Sequence, residues 1–374
     1  MQNEPALSIA ARVTLRLRDQ GPATVNNLAQ TLQVSRTSIE NVLGTVTNTG
    51  TVIHKRASGA GVGRPSRSYE FNAEQGVVAG VDVGNSSIRV VIANTRGVVL
   101  ADHIGAGVGG LPDGVSKLAA VVREVRTCLT QASIPNEKVR AVGLSLPGIV
   151  NEAGLVVTSV VIPEWSGVDI GSLLREALGV EVSVDNGVRL AAMAEHHLGA
   201  AQLINDVLYL SVGNRVAMGL ILNGQPRRGT HNAAGDIGRL LFPGIQPGTG
   251  HISWASGENA AEVFSLARDG DAAARAELDE FVDRLARALS TLIMAVDPAK
   301  VVIGGGLTKA HEDFLNPLRA NVTKRLQLPL VLPIVEARLG DEAAAHGALV
   351  LAFQKKSLGI YGVEGMTVPH ITPL

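Results

Sequence analysis

Asp185, Asn186 and Gly187 form a polar turn between an apolar strand beginning at Val182 and a helix with Leu190, Met193 and Ala194 on one face. A strand that stops on such a turn at the mouth of an α/β cleft offers a carboxylate and an amide to a ligand. Gly187 has no side-chain proton acceptor, so general-base catalysis is unavailable from that position. Arg189, Arg215 and Arg239 fall on segments expected to form the same cleft. Guanidinium groups suit the clamping of carboxylate or phosphate, and Asp185 and Asp236 are equally available to them as partners within the protein. Glycine turns, whose backbone N–H groups can reach phosphate, occur at 82–87, 213–219 and 301–307. The second of these also carries Arg215, Ala217 and Met218, and the third needs its glycines simply to turn the chain. A thiolate metal site cannot be built from one cysteine, Cys128, and His231 and His251 are lone histidines.

The elements that must position these residues are those of an α/β body. Apolar strands at 76–83 and 88–93 flank the turn Gly84-Asn85-Ser86-Ser87, and strands at 206–212 and 216–222 flank Gly213-Asn214-Arg215. Both hairpins carry Val-Gly-Asn at the turn and both lead into a further polar turn, an internal echo that points to two related lobes facing one another. Between them the pattern predicts a helix over 113–132, with Cys128 on its apolar face, and a strand over 139–144. Downstream it predicts helices over 258–267 and 273–296, a strand over 301–303 and a terminal helix over 341–353.

Ahead of this body lies a different kind of sequence. Ile9, Val13 and Leu17 predict a first helix over 6–19 that stops at Gln20-Gly21-Pro22. Thr24 and Ser35 can cap two further helices joined by a tight turn, the second with Ile39, Val42, Leu43 and Val46 inward. Segments 51–56 and 68–72 can pair as a two-stranded wing around a glycine-rich tip. On this helix-turn-helix reading Arg36, Thr37 and Asn41 reach base edges, Arg64 enters the minor groove, and Lys55, Arg56 and Arg67 meet phosphates.

Charge follows the same division. The chain has 33 basic and 34 acidic residues, but residues 1–72 hold eight basic against four acidic. A basic head on an acidic body suits a polyanionic partner. The absence of a signal peptide or a long apolar run points to a soluble, cytoplasmic protein with no membrane partner.

The stretch from Val182 to Glu195 resembles the ENDANAAALAE segment of the ROK family of repressors, open reading frames and sugar kinases. Further likenesses are SLPGIVN at 145–151, PEW at 163–165, VVIGGGL at 301–307 and the GRP of the wing tip. The resemblance covers essentially the whole chain. It implies a winged helix-turn-helix (1–72) on a two-lobed, actin-like and ribonuclease-H-like sugar-kinase body. The first lobe spans 76–187, joined by a C-terminal helix over 341–355, and the second spans 188–340. In the family's kinases an aspartate acts as base where this chain has Gly187. The family's zinc histidine and three cysteines are likewise missing, with Arg239 at the histidine's place. Sugar-binding positions correspond to Asn186, Asp236 and Arg239, to which Gly148, Arg189 and Arg215 are added as candidate effector contacts.

The resulting expectation is a DNA-binding transcriptional regulator, acting on a double-stranded operator as a homodimer or homotetramer. Its inactive kinase-like body would sense a small metabolite, anionic or zwitterionic rather than a plain sugar, and it would need no cofactor or metal. A sugar kinase carrying a DNA-binding head is the alternative.

Overall fold

The computed structural model describes residues 7–55, 67–238, 251–327 and 331–374. Three helices open the chain: α1 (Ile9–Gln20), α2 (Val25–Leu32) and α3 (Arg36–Asn48). Each begins on a hydroxyl cap, as Ser8, Thr24 and Ser35 accept the N–H groups of Ala11, Asn27 and Ser38. The first helix thus starts later than its apolar spacing predicts, at the residue after its cap. Leu17, Leu28, Ile39, Leu43 and Val46 close their shared core. Strands β2 (Val52–Lys55) and β3 (Ser68–Phe71) pair antiparallel, and β1 (Ala23–Thr24) adds to the other edge of β3. The wing is therefore a three-stranded sheet rather than the two-stranded one expected. Two residues between helices carry no alternation by which sequence could reveal a strand.

The body contains two sheets of the same design. The first is built from β4 (Val77–Val83), β5 (Ser87–Asn94), β6 (Val99–Ala106), β7 (Val139–Leu146) and β11 (Glu181–Asn186), in the order β11-β7-β4-β5-β6. A small side sheet, β8 (Ile149–Val150), β9 (Leu155–Thr158) and β10 (Val168–Asp169), lies between β7 and β11 in the chain. The second sheet comprises β12 (Val207–Val212), β13 (Val216–Leu222), β14 (Gln225–Pro226), β15 (Lys300–Gly304) and β16 (Ile334–Glu336). Its order, β14-β13-β12-β15-β16, repeats the first: an antiparallel hairpin, a third antiparallel strand on one side, two parallel strands on the other. The echo of the two Val-Gly-Asn turns is thus the trace of two lobes with one topology.

Helices α4 (Gly114–Gln131) and α5 (Ile170–Leu178) cover one face of the first sheet. On the second, α7 (Ala260–Arg268), α8 (Ala272–Val296) and α9 (Glu312–Leu326) do the same. Helix α6 (Gly187–Leu198) runs between the lobes. It packs on β13 and on α10 (Ala343–Lys355), the helix by which the chain returns to the first lobe. Glycines make these approaches possible. A Cβ on Gly219 would lie 2.9 Å from the Val188 carbonyl oxygen, and one on Gly347 1.9 Å from that of Leu190. On the sheet side, a Cβ on Gly143 would lie 1.8 Å from the Ala348 carbonyl oxygen.

After α10 come α11 (Ser357–Tyr361) and an extended tail to which sequence patterning assigns no role. Tyr361, Val363, Met366 and Ile371 share one core with Val13, Leu17 and Phe71 of the head and with Phe353 of α10. Arg18, only 2 % exposed, donates to the Thr367 carbonyl at 2.7 Å and to the Tyr361 hydroxyl at 3.3 Å. Arg96 of the first lobe donates to the Arg18 carbonyl at 2.6 Å and lies over the Phe71 ring. Head, first lobe and tail therefore form one packed unit.

Candidate functional site: the outer helix of the head and the interlobe cleft

Turning Ile39, Leu43 and Val46 inward leaves Arg36, Thr37 and Asn41 exposed on the opposite side of α3. Gly44 continues this open face, with nothing within 4 Å of the position of an added Cβ. Val42, expected inward, is only partly buried. Arg36 pairs with Glu40 at 2.9 Å and Lys55 with Glu70 at 2.8 Å. Exposed pairs of this kind contribute at most about 1 kcal/mol, so a phosphate or a base edge can displace the carboxylate. Arg67 is exposed beside the wing, while Arg56 and Arg64 lie outside the described residues.

The second site is a cavity of about 620 Å³ between the lobes, lined by the turns that end the central strands of both sheets. Next to the lining residue Asn186, and outside the lining itself, Asp185 is 2 % exposed and holds two arginines, Arg189 and Arg228, the latter at 2.5 Å. Arg189 also donates to the Asn232 carbonyl at 3.0 Å. Arg189 is thus tied chiefly to protein acceptors while it also lines the cavity. Arg228 was missed: it sits in an Arg-Arg pair inside a glycine-broken loop, where nothing local marks one arginine as inward.

Asn186 is committed as well. Its Oδ1 accepts the N–H groups of Val188 and Arg189, capping α6, while its Nδ2 donates to the Gly148 carbonyl at 2.7 Å. Gly148 and Asn186 both line the cavity, but their mutual bond makes the pair a fixed corner with one amide N–H to spare. Gly187 follows, and a Cβ there would lie 3.0 Å from the Ser145 hydroxyl and 3.8 Å from an Asp82 oxygen. Ser145 instead donates to Asp82 at 2.5 Å. Burial raises the Asp82 carboxyl above its ordinary range, opposed by that hydrogen bond and by the charge of Arg89.

Arg215 stands at the turn between β12 and β13, where its carbonyl accepts the Gly213 N–H at 2.9 Å. Its side chain is partly buried and lines the cavity, with Met218 beside it. Burial lowers the guanidinium pKa, and no carboxylate counters the effect. Asp236 is exposed at the cavity's edge on a loop pressed against β13, where Gly235 accepts the Met218 N–H at 2.9 Å. Arg239 lies outside the described residues.

Among the described residues there is no group of three or more His, Cys, Asp or Glu able to hold a metal ion. His231 is exposed, and Cys128 is a core residue whose thiol is pushed up to about 11 by burial. No helix among these residues is long and apolar enough to cross a membrane.

The model of the ROK family matches residues 78–253 and 251–355. The chain belongs to the ROK family. Its head extends the match to a xylose repressor of Caldicellulosiruptor bescii, 20 % identical over 87 % of this chain and 90 % of that protein. A glucokinase of Halalkalibacterium halodurans is 25 % identical over 74 % of this chain and 95 % of its own length. A solved ROK family transcriptional regulator, a homologue of the E. coli Mlc protein, superposes with a TM-score of 0.72 at 22 % identity. It covers 94 % of this chain and 97 % of its own, so the winged helix-turn-helix and two-lobed body of this ROK protein follow a known arrangement.

Proposed function

We propose that this ROK protein is a DNA-binding transcriptional regulator whose kinase-like body is a metabolite sensor without phosphotransfer activity. The observation that carries the reading is Gly187 at the N-terminus of α6. The position faces Asp82 and Ser145 across the cleft floor and supplies no base for a substrate hydroxyl. Arg215 stands in the glycine turn where a nucleotide's phosphates would otherwise lie, and Met218 lines the cavity from β13. The relatives that match head and body together include repressors, whereas the glucokinase matches the body without the head.

A ligand held between the lobes stabilises one degree of closure, because it binds that state better than the open one. The head is packed against the first lobe and the tail, so closure moves the second lobe relative to the outer face of α3. In a homodimer this changes the spacing of the two recognition helices on an operator. Arg36, Thr37 and Asn41 read bases, and Lys55, Arg56, Arg64 and Arg67 meet backbone or minor groove. The effector lies near Gly148, Asn186, Arg215, Asp236 and Arg239.

Two measurements test this together. A band-shift assay over a salt series should show sequence-selective, salt-sensitive binding of duplex DNA, and a coupled assay should show no sugar-dependent ATP consumption. Turnover of ATP with any hexose by the unmodified protein would replace the sensor with a kinase. That reading draws support from the intact glycine turn after β15 and from the retained Asp82.

A further inference from the structure

We infer that the ligand of the interlobe cleft carries an oxyanion, a phosphate or a carboxylate on a small polar body, and that Arg215 is the group that receives it. The inference rests on reading the cleft as a sensor site and names the chemistry of what that site takes.

Asp82, Asp236 and Asp341 line the cavity as well as three arginines, but none of them is paired with the Arg215 side chain among the described residues. Arg215 lines the cavity, and its side chain makes no hydrogen bond or ion pair among the described residues. A guanidinium is protonated at any working pH, so its charge must be met by water or by a ligand. The histidine nearest it electrostatically, His251, has its imidazole pKa lowered by burial and by the charge of Arg215, so it adds no competing cation.

Near the cavity, Arg189 and Arg228 share the carboxylate of Asp185, which leaves one surplus positive charge among these three residues. Arg189 Nε and Arg228 Nη1 are buried without an acceptor. Both atoms are sealed from the cavity, so they act on a ligand through their field and not by contact. Acceptors for neutral hydroxyl groups are scarce on this side, since Gly187 has none and Asn186 Oδ1 already accepts two backbone N–H groups.

The opposite wall excludes the alternative placement. Arg89 also lines the cavity, but it is held by Asp102 at 2.6 Å and Glu342 at 2.8 Å. Asp82 lies on the same wall, so an anion placed there meets a carboxyl group. The oxyanion therefore belongs at the β12–β13 turn, against Arg215.

The experiment is isothermal titration, with thermal shift alongside, of inorganic phosphate, glucose, glucose 6-phosphate and glucuronate into the full chain. Variants Arg215→Gln, Arg215→Lys and, as a control for surface charge, Arg126→Gln on α4 are measured in the same buffers. Inorganic phosphate should raise the melting temperature of the parent, of Arg126→Gln and, in part, of Arg215→Lys. Arg215→Gln should weaken phosphate binding about tenfold or more, the loss of a charge-assisted contact. Whether the 6-phosphate or the uronate binds more tightly identifies the source of the oxyanion, and either must bind more tightly than glucose. Glucose binding that equals its anionic forms and is indifferent to Arg215→Gln keeps the sensor reading and overturns the oxyanion. Phosphate binding that persists in Arg215→Gln places the anion elsewhere and overturns it too. No response to any of the four compounds removes the inference and the support for a sensor cleft together.

Discussion

Arg18, in the first helix, donates to the backbone carbonyl of Thr367 at 2.7 Å, so the winged helix-turn-helix head is bonded to the tail that follows the last helix. The contact is buried, its guanidinium sits 5.8 Å from the centre of the Tyr361 ring, and the Tyr361 hydroxyl donates onward to the Thr95 carbonyl at 3.0 Å. Thr51, at the start of the wing, donates to the Tyr361 carbonyl at 2.6 Å. One tyrosine thus joins two elements of the head to the first lobe.

Arg18→Ala should therefore destabilise the protein by about 3 kcal/mol, the loss of charge-assisted hydrogen bonds at a buried site. Urea denaturation followed by circular dichroism measures this. A cost below about 0.5 kcal/mol would mean that the head is held by apolar packing alone.

The head's exposed face separates two kinds of contact. Arg36→Ala should relax base preference at one operator position, at a cost of about 1–3 kcal/mol for the preferred sequence. Lys55→Ala should weaken all duplexes alike and flatten the salt dependence. Parent-like binding by both variants would show that DNA is met elsewhere.

Gly187→Asp should leave the protein folded, with stability within about 1 kcal/mol of the parent, because the added Cβ meets only the Ser145 hydroxyl at 3.0 Å. It should not create a kinase, since Arg215 still stands in the turn between β12 and β13. The new carboxylate would also lie near Asp82, and two such groups hold one another's protons. Sugar-dependent ATP consumption by this variant would show that the turn admits a nucleotide after all.

Asp82 gives a pH-dependent prediction. Burial raises its folded-state pKa above the ordinary 3.8, so the folded protein binds a proton that the unfolded chain has already released. Its contribution to stability is then greatest below pH 3.8 and is lost as pH rises through the raised folded value. Asp82→Asn should consequently be more stable than the parent at pH 7, with the gain vanishing in acid. Melting curves between pH 4 and pH 8 test the sign. A variant less stable at pH 7 than at pH 4, relative to the parent, would mean that Asp82 is needed as an anion.

Much of this architecture was legible before the coordinates. The caps Thr24 and Ser35, the paired hairpins and the helix that follows Asn186 all follow from local signals: hydroxyl residues before apolar stripes, or alternation broken at a turn. What was not legible depends on partners distant in the chain. The β1 strand exists only because Tyr69 and Ser68 pair with it. Residues 357–374 show no period because they fill gaps between three other elements instead of presenting one face. At the cleft, Asp185 and Asn186 could be seen to end a strand, but their commitment to Arg228 and Gly148 could not be read from a sequence separation of about forty residues.

The seat of the head has a consequence for the order in which the protein comes into being. Residues 357–374 are made after both lobes, yet they supply Tyr361 and Thr367, against which the first helix rests. During synthesis the head is made before either lobe and waits for part of the surface that seats it. A chain cut before Tyr361 keeps the Arg96 contacts to the head but loses the buried partners of Arg18 and Thr51.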